Sequence, residues 1–319
     1  MDRRLERARA ALTGATVVPH TDADGLAAGA IALRLQGRGA DAAVLLPRGA
    51  TPFGAAPPLP AGPVAVLDWG VRPLARPGVV VDHHVPEADP GPGVVVVSGA
   101  GEEPATSTAA LMRRIVPEAP AWLAAVGAVG DLGDGAWALP ECAGAPKTAV
   151  RRLVPLVNAP RRLPDGPVGT ALALLVEHAD PREALADGRV RLLAEARDAW
   201  RSELDRVMRT APRVTDDLAV IRFRSAAQVH PLVATAWTRR LAPRMVLAAN
   251  DDYLPGMVNF AVRGGAGADL RARLRDALPE ADGEFAHGHP RATGGSLTPA
   301  EFDLLLSRLG AAPAAREAA

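Results

Sequence analysis

Short apolar runs separated by glycine- and proline-rich turns dominate the first hundred residues. Residues 15–19, 42–46, 64–67, 79–81 and 94–97 are apolar without polar alternation, which predicts strands buried on both faces of a parallel sheet. An amphipathic helix opens the chain. Residues 25–35, 107–116 and 119–129 carry apolar positions at helical spacing, as do stretches of 147–209 interrupted by prolines. Strands alternating with helices predict an open α/β domain with helices on both faces of its sheet. After Pro212 a second pattern starts, with strands at 218–223, 245–249 and 257–262 and helices at 226–241, 268–278 and 299–309. A glycine-rich loop is expected at 288–295, inside what reads as a smaller α+β domain. The predicted division is a domain over 1–190, a helical connector over 191–212 and a domain over 213–319, with an active-site cleft between the two domains.

Composition narrows the class. A chain of 319 residues suits two domains better than one core, and 48% hydrophobic with 23% charged residues is globular composition. The formal net charge is zero, so no global attraction to nucleic acid or anionic membrane is expected and any polyanion site must be local. Lys147 is the one lysine among many arginines, alanines, glycines and prolines, which reads as coding bias. Cys142 is the one cysteine, which excludes an intramolecular disulfide and a thiolate metal cluster. The charged start Met1-Asp2-Arg3-Arg4-Leu5-Glu6-Arg7 is unlike a secretory leader. The longest apolar stretches, such as 122–129, fall well short of the roughly 20 residues that span a bilayer. A cytoplasmic protein with no membrane partner is the expectation.

Charged and imidazole side chains stand directly at the ends of the predicted strands. One strand runs into His20-Thr21-Asp22-Ala23-Asp24-Gly25, another into Asp68-Trp69-Gly70 and another into Asp82-His83-His84. In an open parallel sheet the crevice beyond the carboxyl ends of the strands is where ligands bind, so these segments should converge there. So many carboxylates in one crevice cannot all remain ionised unless cations compensate them. Imidazole and carboxylate without thiolate favour divalent manganese, magnesium, zinc or iron. Two such ions about 3.5–4 Å apart can clamp the attacking and leaving oxygens of a phosphoryl displacement.

These motifs resemble those of the DHH phosphoesterases, a family that includes RecJ-like exonucleases, oligoribonucleases and nucleotide phosphatases. His20 to Gly25 looks like that family's first motif, Asp68-Trp69-Gly70 its second, Asp82-His83-His84 its third and Gly130-Asp131-Leu132-Gly133 its fourth, in matching order. The resemblance implies one metal on His20, Asp22 and Asp68 and another on Asp24, Asp68, His83 and Asp131, with Asp68 bridging. It implies two divalent ions, manganese first and magnesium second, and an activated hydroxide as nucleophile. His84 would face the scissile phosphate, and Asp82 would orient the histidine pair.

The C-terminal part resembles the DHH-associated domain, whose signature is a glycine-rich turn around a histidine, here Ala286-His287-Gly288-His289-Pro290-Arg291-Ala292-Thr293-Gly294-Gly295. Glycines let backbone amides approach a phosphate. The substrate contacts implied are Gly288, His289, Arg291, Thr293 and Gly294, together with Arg263 on the strand Asn259-Phe260-Ala261-Val262-Arg263. Ala286-His287 departs from the family's usual glycines.

Blander roles suit other residues. Asp134 reads as a turn or capping residue, Thr106-Ser107-Thr108 as an N-cap or a substrate contact, His178 and His230 as structural. Arg239-Arg240 and the arginines of 271–275 read as solvated helix faces. Trp69 and Phe260 could stack on a base, but packing is the first expectation for each. The function expected is hydrolysis of phosphate esters of short oligonucleotides or nucleotides such as nano-RNA or the bisphosphorylated nucleotide pAp. The alternatives are a single-strand-specific exonuclease acting on longer DNA or RNA and, ranked lower, a non-catalytic nucleic-acid-binding module. An inorganic pyrophosphatase ranks lowest. The oligomeric state is open, a homodimer included.

Overall fold

The computed structural model describes residues 3–54, 59–264, 269–281, 285–289 and 291–311, with backbone alone for 287–289. It divides into two compact units, one of Met1–Arg161 and Asp165–Arg197, the other of Arg162–Pro164 and Asp198–Ala319. The first unit contains helices α1 (Arg3–Thr13), α2 (Ala23–Gln36), α3 (Thr108–Ile115), α4 (Ala121–Leu132), α5 (Lys147–Val157), α6 (Val168–Glu177) and α7 (Pro181–Ala186). Its strands are β1 (Thr16–Pro19), β2 (Val64–Leu67), β3 (Gly78–Asp82) and β4 (Val94–Ser98). Helix α8 (Val190–Val207) runs across the boundary between the units.

The four strands form one parallel sheet in the order β1-β2-β3-β4. Strands β2 and β3 are buried at every position, as expected from their lack of polar alternation. One face packs Val17, Ala65, Leu67, Val79 and Val81 against helices that include α2, α3 and α4. On the other face the described residues place connecting segments where helices were expected: Val18, Val64, Val66 and Val80 are covered by Leu46, Phe53, Val71 and Leu74. The connector carries Pro47 and Pro52, and proline disrupts helix interiors.

The run at 42–46 is not a strand. A 3-10 turn occupies Ala40–Ala42, and beyond it Val44 N–H donates to Val17 O at 2.9 Å. Val44 and Leu46 cover the second face of the sheet, while Ala42, Ala43 and Leu45 pack against the first-face core, and the segment does not join the ladder.

The second unit has a six-stranded mixed sheet of β5 (Arg213–Val214), β6 (Leu218–Phe223), β7 (Met245–Asn250), β8 (Val258–Arg263), β9 (Phe285–His289) and β10 (Ala292–Leu297), in the order β5-β6-β7-β8-β10-β9. Strands β6 and β7 run parallel, and the other described pairs are antiparallel. Helix α9 (His230–Leu241) packs on one face, through Val233 and Ala234 against Ile221, Ala248 and Ala261. Helices α10 (Leu270–Ala277) and α11 (Pro299–Arg308) pack on the other, where Leu274, Phe302 and Leu305 meet Leu247, Phe260 and Val262.

The glycine-rich segment expected as a loop is mostly an antiparallel hairpin of β9 and β10. Its register shifts between Gly294 and Gly295, and Ala286 opposite the shift has φ of 54°. A left-handed residue is what a bulge of this kind requires, which accounts for glycine being the ordinary choice at such a position. Among the described residues no helix is long and apolar enough to cross a membrane.

Candidate metal centre

Parallel register brings the three motifs together. Strands β1, β2 and β3 are adjacent, so the residues after Pro19 and Leu67 and at the end of β3 emerge side by side. His20 N–H donates to Leu67 O at 2.9 Å and Asp68 N–H to Val81 O at 3.1 Å, carrying the ladder one residue into each motif. The chain then turns sharply at Asp68, whose φ is 69°. Asp and Asn tolerate this left-handed conformation better than other non-glycine residues.

The first motif closes into a tight turn. Asp22 caps α2 by accepting Gly25 N–H at 3.0 Å. A Cβ on Gly25 would lie 2.4 Å from His20 O, so glycine is required for the turn to close. Asp24, in the first turn of α2, is wholly buried. Its carboxylate accepts Thr108 N–H at 2.7 Å and Ala109 N–H at 2.9 Å from the start of α3, where unpaired amides and the helix dipole favour a negative charge. Thr108 Oγ1 also donates to Asp68 Oδ1 at 2.9 Å, while Ser107 caps α3 by accepting Ala110 N–H.

Two groups of side chains result, each with its donor atoms within 4.8 Å of one another: His20, Asp22 and Asp68, and Asp24, Asp68, His83 and Asp131. Asp68 is common to both. His84 also comes within the same reach of Asp68 and His83. Asp131 enters from the last turn of α4. Around His83 Nε2 lie Asp131 Oδ2 at 3.0 Å, Asp68 Oδ1 at 3.5 Å and Asp24 Oδ2 at 3.9 Å. That nitrogen is buried and makes no hydrogen bond with any of them. An imidazole nitrogen facing three carboxylate oxygens out of hydrogen-bond alignment fits a divalent cation, and the all-oxygen-and-nitrogen donor set fits a hard or borderline ion.

The electrostatics agree. Burial, then the neighbouring Asp131 charge, raises the Asp24 carboxyl to about 7 against the pull of His83 and the Ala109 amide. Asp68 is pushed well above the ordinary carboxylate range by burial and by Asp24, Asp22, Asp131 and Asp82. Burial would lower the His83 imidazole, but Asp131, Asp24 and Asp82 raise it to about 9. Burial would also raise Asp22, yet His20, Arg161 and the Gly25 amide hold it well below the usual range. Carboxylates that resist ionisation beside an imidazole that resists deprotonation describe excess negative charge, the condition that bound cations relieve.

Asp82 is fully buried and accepts Gly70 N–H at 2.6 Å, His84 N–H at 2.7 Å and His84 Nδ1 at 3.0 Å. Burial opposes its charge, but the bonds from His84 and Gly70 outweigh it and keep the carboxyl low. With Nδ1 tied to Asp82, the His84 ring carries Nε2 on its opposite edge. The His84 side chain is 43% exposed, and its ring lies 4.2 Å from that of His83. Trp69 packs edge-on against His20 with centroids 5.0 Å apart.

Three contributors to the centre were not expected from sequence. Asn158 Oδ1 accepts Ala23 N–H at 2.9 Å, and Arg161 Nη1 lies 3.9 Å from Asp22 Oδ2. Gly127 on α4 makes room for Asp24, since a Cβ there would fall 2.2 Å from Asp24 Oδ1 and 2.5 Å from Ala109 Cβ. The signal for Gly127 was present as small residues at i and i+3, Gly127 and Gly130, in the turn that precedes Asp131. Gly127→Ala is therefore expected to weaken Mn2+ binding at least tenfold and to cost about 1–3 kcal/mol of stability by overpacking. Gly14→Ala, where nothing lies within 4 Å, is the matched control. Calorimetric titration and thermal melts check this, and equal Mn2+ affinity in the two variants contradicts it.

Other residues fall elsewhere. Asp134 is exposed and pairs with Arg151 at 2.6 Å, His178 pairs with Asp187 at 2.9 Å, and the His230 ring stacks edge-on with Tyr253. Phe260 is core, 2% exposed between Phe285 and Phe302. Cys142 is buried, its thiol pushed up to about 11 by burial and by Glu141.

The second unit holds the residues expected as the clamp. Arg263 ends β8 half-buried, donating to Val262 O at 2.9 Å, and desolvation lowers its guanidinium from the ordinary value. Gly294 stands opposite Ala261, and a Cβ there would lie 2.3 Å from Phe260 O, so this glycine serves strand packing. Thr293 pairs with Val262 and is 3% exposed, on the opposite face of its strand from Gly294. Arg291 is exposed at the hairpin end. Gly288 and His289 lie in β9, opposite Thr293 and Ala292, and their side chains, like Pro290, lie outside the described residues.

No family model and no curated protein matches the chain in sequence. Solved structures match it in fold. An exonuclease RecJ bound to manganese is 21% identical, with 96% of this chain and 93% of that one covered at a TM-score of 0.63. RecJ from Thermus thermophilus in complex with Mn2+ is 21% identical with a TM-score of 0.66. This chain spans about half of it, 96% of this chain against 54% of that one. The DHH domain of a protein assigned to a family of ribosomal proteins is 16% identical, covering 98% and 91% at a TM-score of 0.56. The chain therefore has the α/β fold seen in RecJ and in this DHH domain.

Proposed function

We propose that the protein is a metal-dependent phosphoesterase of the DHH type that hydrolyses phosphate esters of short oligonucleotides or nucleotides. The observation that carries this reading is the pair of donor groups sharing Asp68, on a fold similar to that of a manganese-bound exonuclease. His20, Asp22 and Asp68 would hold one divalent ion, and Asp24, Asp68, His83 and Asp131 the other. When bound, two such ions neutralise phosphate charge and acidify a water.

The chain's own residues supply the rest. Asp82 fixes the His84 ring through Nδ1, which leaves Nε2 to face the leaving oxygen and, when the ring is the imidazolium, to donate its proton there. The first turn of α3 holds Asp24 in place, and Thr108 does the same for Asp68. Arg263, Gly288, His289, Arg291, Thr293 and Gly294 form the proposed substrate-binding set of the second unit.

A net charge of zero favours short substrates, because long polyanions are usually drawn in by a basic surface. The second reading, a single-strand exonuclease on longer DNA or RNA, is favoured by the RecJ fold match over 96% of this chain. Mn2+-dependent hydrolysis of pAp, a linear dinucleotide, a cyclic dinucleotide and long 5′-labelled single strands separates them. Turnover confined to the short substrates is the expected result, and processive loss of the long strands selects the exonuclease. His84→Asn should lower kcat by roughly 100- to 1,000-fold, the range for loss of a general acid or an electrostatic donor, with Mn2+ affinity unchanged. Absence of turnover on every member of the panel removes the hydrolase reading.

A further inference from the structure

We propose that Arg161 is a substrate-binding residue whose guanidinium takes a non-bridging oxygen of the phosphate at the metal centre. The inference deepens the phosphoesterase reading and rests on it. Arg161 lies in the 3-10 turn Pro160–Arg162, with Nη1 3.9 Å from Asp22 Oδ2 and a side chain 22% exposed. Its Nε is buried and makes no hydrogen bond.

An arginine kept as a structural counter-charge closes onto its carboxylate. Arg222 does so, donating from Nε and Nη2 to Asp251 at 2.9–3.2 Å with a side chain 3% exposed. Arg161 stands off from Asp22 beyond hydrogen-bond reach. Asp22 does not need it as a partner either, because His20 Nδ1 at 2.8 Å and the Gly25 amide at 3.0 Å already serve that carboxylate. The guanidinium is thus held at the metal centre with donors to spare.

The surrounding chain is built to hold it there. Asn158 ties the end of α5 to the Ala23 amide, inside the first motif. The following turn is closed by Gly166, where a Cβ would fall 1.9 Å from Pro160 O. A guanidinium suits phosphate because its planar fork of N–H donors matches two oxygens at once, which a point charge does not. It also adds positive charge at the centre without competing for a metal-ligand position.

The test uses the full chain saturated with Mn2+ and titrated with inorganic phosphate by calorimetry, comparing wild type, Arg161→Gln and Arg161→Lys. Melting temperatures and Mn2+ affinities are measured alongside. Arg161→Gln should weaken phosphate binding by about 10- to 100-fold, the range for a charge-assisted hydrogen bond, and raise KM with a smaller effect on kcat. Mn2+ affinity should stay within about threefold, and lysine, which keeps the charge but not the fork, should restore phosphate binding only in part. Phosphate affinity within about threefold of wild type in both variants overturns the inference, as does full rescue by lysine. Failure of the wild-type protein to bind Mn2+ removes the phosphoesterase reading itself, and this inference with it.

Discussion

Asp68→Asn is expected to lower kcat/KM by roughly a thousandfold or more, since two-metal assistance supplies several kcal/mol of barrier lowering, while leaving the metal-free fold intact. Asp68 is the one side chain common to both donor groups, so its loss affects both positions where any other single ligand would affect one. Asparagine is the informative replacement. The residue sits at φ of 69°, which asparagine accepts, whereas alanine would add about 1–2 kcal/mol of left-handed strain to the loss of charge. The amide oxygen can still accept the Thr108 hydroxyl that Asp68 Oδ1 accepts at 2.9 Å. Asp68 is 5% exposed, and its ionisation is opposed by burial and by four neighbouring carboxylates. A neutral group there should therefore melt at an equal or higher temperature in chelator. Turnover, Mn2+ stoichiometry by calorimetry and melts in chelator test this together. An asparagine variant with more than about a tenth of wild-type activity would exclude a shared ligand role for Asp68.

Local features of the centre were legible because the signal is local. His20, Asp22 and Asp24 share a turn, and Asp68 and Asp82 close consecutive strands, so sequence alone places them at one sheet edge once the strands are taken as parallel. Asp131 was found only through resemblance, since nothing in its own neighbourhood distinguishes it from a capping residue. Asn158 and Arg161 could not be read. The Ala23–Asn158 hydrogen bond joins residues 135 apart in sequence, and no periodicity encodes such a contact.

Two segments misled for physical reasons. Ala42-Ala43-Val44-Leu45-Leu46 has the composition of a buried strand, but composition reports only a tendency to burial, and here Leu46 enters the second-face core while residues 42–45 are half-buried beside the sheet. Residues 288–295 are glycine-rich and so read as a loop. In the hairpin, Gly294 permits close approach to Phe260 O, and the left-handed position falls on Ala286.

Removing divalent ions should abolish turnover and make stability fall as pH rises, the reverse of what paired carboxylates ordinarily do. The sign follows from three groups. Asp24 titrates near 7 in the folded chain against an ordinary value of 3.8, so from about pH 4 to 7 the folded state holds a proton that the unfolded state has released. Asp68 shifts in the same direction. His83, raised from 6.5 to about 9, contributes stability that is complete below about pH 6.5 and lost as pH rises through 9. In each case the native state binds more protons, and stability declines with pH. Asp22 and Asp82 shift downward, so their contribution is lost only as pH falls below the ordinary carboxylate range, outside this window. The metal-free protein should melt roughly 5–10 °C lower at pH 8.5 than at pH 5, taking a few kcal/mol at a few degrees each. Mn2+ must displace the same protons to bind, so the rise in melting temperature that it produces should grow with pH and flatten the curve. Melts from pH 5 to 9 in chelator and in Mn2+ measure both slopes. A metal-free melting temperature that climbs steadily across that range would mean that the carboxylates are already compensated within the protein, and the case for two cations at this centre would lose its electrostatic basis.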